Sequence, residues 1–172
     1  MGILSGNPKN EPLHYGEIYD VWQFSMIAKG CISSNKALKF HAGDTELKKM
    51  FDQLIEQAEL EARECDTILN RNGIVPPPAL PDRPEAKLED IPIGARYNDV
   101  EIAPMLSVDL AAGLVACSQI MGTSIREDVI ALFTKYHAAK AEMGLKVLRM
   151  SKDKGWLVPP PLQIKRPELV EA

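Results

Sequence analysis

The side chains with the most chemical potential in this 172-residue chain are a few carboxylates and imidazoles set in helical stretches. A di-iron centre between four helices needs a carboxylate from each of two helices and Glu-x-x-His from each of the other two. All must face inward at one level. The one Glu-x-x-His is Glu11-Pro12-Leu13-His14, at or before the first helical stretch, and the second and fourth stretches have none. His14 and His41 fall at opposite ends of one helical stretch, roughly 40 Å apart at helical rise, and His137 stands alone. The ligand set is therefore incomplete. Glu61 and Asp109 remain as weak candidates for a metal, and no cofactor is expected.

Other catalytic patterns are equally thin. The chain has no Gly-x-Ser-x-Gly elbow, phosphate-binding loop or Gly-x-Gly-x-x-Gly turn. Cys31, Cys65 and Cys117 are widely spaced, with no Cys-x-x-Cys, and read as reduced, buried thiols of a cytoplasmic protein. A net charge of −4, with both signs interleaved, argues against broad attraction to nucleic acid or anionic lipid. The first residues lack the pattern of a secretory signal, and no apolar stretch long enough to span a membrane is expected.

Whatever these side chains do must be arranged by helices. Apolar residues recur at steps of three and four from Asp44 to Asn72 (Leu47, Phe51, Leu54, Ala58) and from Ser124 to Lys154 (Val129, Leu132, Tyr136, Met143, Val147, Met150). Each stretch has a helical predecessor, from about His14 to His41 and from about Asp99 to Met121, joined to it by a short loop. Short joints make antiparallel hairpins. Asp44 reads as an N-cap, Ser124-Ile125-Arg126-Glu127 as a capping box, and Gly73 and Gly155 as left-handed stops. Pro104, in the first turns of the third helix, is expected to shift its start or to kink it.

The hairpins read as copies of each other. Val75-Pro76-Pro77-Pro78 recurs as Val158-Pro159-Pro160-Pro161, and Arg83-Pro84-Glu85 as Arg166-Pro167-Glu168. The repeat covers 14–85 and 99–168 within one domain, 1–172. The Pro-rich connection from Gly73 to Tyr97 can span roughly 80 Å when extended, more than the helix length of about 43 Å. It can return along the bundle and leave the second and third helices parallel, as in the ferritin-like crossover. The predicted fold is all-α, a ferritin-like four-helix bundle. The duplication also predicts a C-terminal strap anchored by Trp156, Leu157, Leu162 and Ile164. Inside the bundle, Ser25, Glu61, Asp109 and Tyr136 are expected to form a buried polar layer, with Asp109 bonded to Tyr136 and Glu61 to Ser25 or water. Such a layer sets helix register or marks a weak metal or ligand site.

Several segments resemble a known family: Met1-Gly-Ile-Leu-Ser-Gly-Asn-Pro-Lys-Asn-Glu-Pro-Leu-His-Tyr-Gly-Glu17, Asn98-Asp-Val-Glu-Ile102, Asp109-Leu-Ala-Ala-Gly-Leu114, Arg126-Glu-Asp-Val129 and Lys154-Gly-Trp-Leu-Val-Pro-Pro-Pro161. They are similar to the Bacillus ferritin-like proteins of unassigned function related to spore coat protein F. The resemblance implies a ferritin-like bundle, a coat or sporulation role and no catalytic residues. The expected function is non-enzymatic, structural or protein-binding, in the cytoplasm or the spore coat. Partners would be coat proteins or a second copy, as a homodimer. The alternative is a ferritin-like metal-binding or oxidase-type protein with an incomplete carboxylate site, and a third option is a ligand-binding bundle with a defined internal cavity.

Overall fold

A computed structural model describes residues 11–163. Among the described residues there are four α-helices, two short 3-10 turns and no strand. The helices are α1 (Tyr15–His41), α2 (Thr45–Arg71), α3 (Asp99–Thr123) and α4 (Glu127–Asp153). The apolar periodicity therefore located every helix to within three residues. Gly73 (φ +74°) and Gly155 (φ +70°) close α2 and α4 in the left-handed conformation, where a Cβ would be strained.

The starts expected near Asp44 and Asp99 hold, Pro104 does not shift the second of these, and the one expected at Ser124 does not form. Asp44 caps α2, accepting from the Glu46 and Leu47 amides at 2.8 and 3.0 Å. α3 runs through Pro104 from a start fixed by Asn98 and Glu101, which cap each other's amides. The Ser124 capping box does not form. Arg126 is the N-cap of α4, while Ser124 ends α3 with its hydroxyl buried and without a hydrogen-bond partner among the described residues.

Two carboxylates set the helix directions. Glu17, in the first turn of α1, accepts from the Ile125 and Arg126 amides at the α3–α4 joint (2.8 and 3.0 Å). Asp99, in the first turn of α3, accepts from the Gly43 and Asp44 amides at the α1–α2 joint (2.8 and 3.0 Å). α1 and α3 are thus antiparallel, and α2 and α3 run the same way. The connection between α2 and α3 climbs along α1. Trp22 donates to the Val75 carbonyl (3.1 Å), Lys29 to the Pro77 carbonyl (2.5 Å), Arg83 to Ser33 (3.1 Å), and the Tyr97 amide to His41 Nδ1 (3.1 Å).

α1 packs closely on α2, and α3 on α4, whereas the hairpins touch each other more sparsely through α1–α3 and α2–α4. Two apolar clusters result. The lower one gathers Val21, Phe24, Cys65, Leu69, Phe133 and Tyr136, with Phe133 edge-on to both Phe24 and Tyr136. The upper one gathers Leu47, Phe51, Leu54, Ile102, Leu106 and Val147. Burying side chains of this size contributes about 1.5–3 kcal/mol each before entropy is set against it.

Two expectations need correction. Among the C-terminal anchors, Trp156 does pack on the upper cluster, under the Lys154 ammonium. Leu157 and Leu162, however, are 38% and 70% exposed, because the tail leaves the bundle after its amides bond Ser151. Ile164 and Arg166-Pro167-Glu168 lie outside the described residues. In addition, residues 93–123 are long and apolar enough to cross a membrane by length and composition. Within this stretch α3 turns Ile102, Leu106, Leu110, Cys117 and Ile120 into the bundle, and most of its other residues are exposed.

Candidate functional site

Between the two apolar clusters lies a polar middle, built from helix positions that the stripes leave to charged side chains. Glu61, on the inner face of α2, is 3% exposed. The Lys140 ammonium reaches it from α4 and donates to both carboxylate oxygens at 2.8 and 2.9 Å, and Gln57 donates to one of them at 3.0 Å. The lysine stem crosses the bundle beside Gly113, where a Cβ would stand 2.8 Å from Lys140 Cδ. Its ammonium also lies 5.5 Å from the Phe24 ring, a cation–π distance. An isolated carboxylate here would be costly, and pairing with additional hydrogen bonds makes it tolerable.

The expected partners within the layer are corrected by the structure. Ser25, fully buried, donates to Asp66 at 2.5 Å rather than to Glu61, and Lys29 completes that group by binding both Asp66 oxygens. Tyr136 donates to Glu64 at 2.9 Å rather than to Asp109, and Lys135 binds the same carboxylate. Asp109 is exposed. The buried line of α3 runs through Leu106, Leu110 and Cys117, and Asp109 lies beside it, facing the space between α1 and α3. Reasoning from the sequence missed Asp66, Glu64 and Lys140, because each is a charged residue of ordinary surface type on a helix.

The polar middle opens into a cavity of about 450 Å³. All four helices contribute to its lining, which is mainly apolar. It includes Phe24, Leu54 and Leu106, together with the polar side chains Glu61, Lys140, Asn35 and Asp109. Partial burial pushes the Asp109 carboxyl above its ordinary value of 3.8. Burial likewise raises the thiols. Cys65 is pushed up to about 12, with the Glu61 charge adding to the effect, and Cys117 to about 11. Cys31, which lines the cavity, is raised by burial and then by the Asp109 charge. None of the three is a thiolate near neutral pH, and the thiolate is the form that attacks electrophiles or binds metals. Burial also raises the Tyr136 phenol.

Among the described residues, no three His, Cys, Asp or Glu side chains converge as a metal-binding set. Of the two metal candidates, Glu61 already holds an ammonium where a cation would sit, and Asp109 turns to the groove. His14 caps α1, His41 faces Tyr97, and His137 is half-buried on α4.

The molecule is thus an all-helical protein of two packed hairpins, with the buried Glu61 paired to Lys140 and the buried Glu17 held by backbone amides. The chain belongs to the family described as "Protein of unknown function (DUF3231)", whose model matches residues 1–169. It is 46% identical over 166 residues to the uncharacterized protein YvdQ of Bacillus subtilis, covering 96% of this chain and 98% of that protein. It is also similar to the crystal structure of a proposed spore coat protein from Bacillus halodurans. That match has 47% identity and a TM-score of 0.90, and covers 92% of this chain and all of the other. The resemblance read from the sequence motifs thus agrees with relatives in Bacillus and a neighbour proposed for the spore coat.

Proposed function

We propose that this protein is a non-enzymatic structural or interaction component associated with the spore coat, acting there or in the cytoplasm of the cell that forms the spore. The observation that carries the reading is the likeness, at 47% identity over nearly the whole chain, to the proposed coat protein of Bacillus halodurans. The surface of α3 supports it. From Met105 to Thr123 its one charged residue is Asp109, and Val108 and Val115 are 67% and 68% exposed. An uncharged, partly apolar helix face suits contact with protein partners or a second copy. The pairing of Glu61, Asp66 and Glu64 with lysines fits a structural use of the polar middle better than acid–base chemistry.

The framework proposed for this role is one ferritin-like domain made of two duplicated hairpins. Equivalences at a single offset support the duplication: Glu17 and Asp99, Gly43 and Ile125, Asp44 and Arg126, and Gly73 and Gly155 are each 82 residues apart.

The test is mass spectrometry of coat extracts from purified spores of the organism that makes the protein, alongside sporulating cells. The protein is expected in the coat fraction, and its absence from both samples overturns the proposal. Metal analysis of protein purified without chelators is the companion measurement. Near-stoichiometric iron or manganese would replace the structural reading by a metal-binding one.

A further inference from the structure

We propose that the cavity between α1 and α3 binds a small amphipathic amine, with its aliphatic body along the apolar walls and its ammonium head between Asp109 and Asn35. This goes beyond the structural role, and either can stand without the other.

The size suits a small molecule. A volume of about 450 Å³ falls within the usual range for ligand pockets. The lining spans Phe24 to Asn35 on α1 and Leu106 to Ala116 on α3, so the space is elongated, about 15 Å at helical rise. Its walls include Ile27, Leu54, Leu110 and Met143, which suit a chain-like apolar body.

The polar groups specify the head. Asn35 is 93% buried and lines the cavity, and its carboxamide has no hydrogen-bond partner among the described residues. Ser124 Oγ is the one fully buried side-chain polar atom without a partner among the described residues, so the Asn35 amide keeps contact with the solvent in the cavity and can bond a guest there. Asp109 also lines the cavity and has no ion pair among the described residues. Counted from the upper joint at about 1.5 Å per residue, Asn35 lies about 12 Å down α1 and Asp109 about 15 Å down α3, so the two share a level. The Glu61–Lys140 pair lies about 25 Å down α2 and cancels its own charge. The net charge facing the cavity is therefore the single negative charge of Asp109. An ammonium would donate to that carboxylate and to the Asn35 carbonyl, satisfying both. A carboxylate head would instead meet Asp109 with like charge.

Calorimetric titration of the full chain at neutral pH, with decylamine, decanol and decanoate each below its micellar concentration, tests this. Decylamine is expected to bind one per chain, at least tenfold tighter than decanol, with decanoate weaker than both. Asp109→Asn is expected to reduce decylamine to the level of decanol while leaving decanol unchanged. Gly30→Phe is expected to abolish all binding, because Gly30 lines the cavity and a Cβ there meets nothing within 4 Å. Replacing a mid-helix glycine also favours the helix, so a cooperative unfolding transition at or above the parent's Tm shows the variant folded. The proposal is overturned if decylamine does not bind, if decanol binds as tightly, if Asp109→Asn leaves amine affinity intact, or if folded Gly30→Phe still binds.

Discussion

At the upper joint Asp44 begins α2, and at the lower joint, 82 residues on, Arg126 begins α4. Asp44 caps its own helix and takes Lys154 from the end of α4 at 2.7 Å. Arg126 cannot accept from amides. It reaches Asn72 at the end of α2 (3.3 Å) and the Glu11 carbonyl (3.0 Å), and Asp128 grips it with both oxygens. The polarity of the contact is reversed, while the helix ends it joins are the same. The carboxylate that holds each joint's amides differs in depth. Glu17 is 1% exposed and accepts from three backbone amides, His14, Ile125 and Arg126. Asp99 is half-buried and accepts from two. One geometry thus tolerates opposite charges, and its energetic weight follows burial.

If burial decides the weight, the joints should respond unequally to the same cut. Glu17→Ala leaves three amides without their carboxylate in a dry site and is expected to cost about 3 kcal/mol in urea unfolding. Asp99→Ala, whose two amides gain water, is expected to cost about 1 kcal/mol. Equal losses would break the comparison. Ser124→Ala sharpens it in the other direction. Ser124 stands where Ala42 stands in the upper joint, and its buried hydroxyl has no partner among the described residues. The variant is expected to gain up to about 1 kcal/mol, whereas a capping role for Ser124 would make it a loss.

The smallest effect belongs to the pair Asp44–Lys154. The hydrogen bond from Lys154 is the largest influence holding the Asp44 carboxyl below its ordinary 3.8, followed by the Leu47 amide. A carboxylate depressed on folding contributes stability above its unfolded value, and that contribution is lost as pH falls through the folded one. Lys154→Met is therefore expected to raise the Asp44 titration midpoint in carboxyl NMR and to lower stability slightly at neutral pH. The stability loss should fade as salt is added. An unchanged Asp44 midpoint would show that the amides alone depress it.

The parts legible in the sequence were those carried by local spacing. Helix spans followed from apolar steps of three and four, and the stops from Gly73 and Gly155. Glu61 was legible as an inward residue because it continues the stripe from Ala58. Its partner was not, since a lysine reads as surface until the stem is seen crossing beside Gly113. Asp109 misled, because its place between Leu106 and Gly113 put it near the stripe, whereas the buried line of α3 runs through Leu106, Leu110 and Cys117 and leaves Asp109 at its edge. The Glu17 and Arg126 contacts join residues 109 apart and were invisible to any local pattern. Ser124 followed by Glu127 matched a cap in letters, yet the chain at that joint had a deeper carboxylate available.

The connection that climbs α1 has a consequence for how the molecule comes apart. Residues 79–87 are all exposed, so the chain is open to a protease between its two halves. Before a cut there, the hairpins meet as parts of one chain, at an effective concentration set by the tether. After it, they are two separate polypeptides whose association depends on dilution. A single nick would convert a folding reaction into a binding one, with a dissociation constant that can be measured.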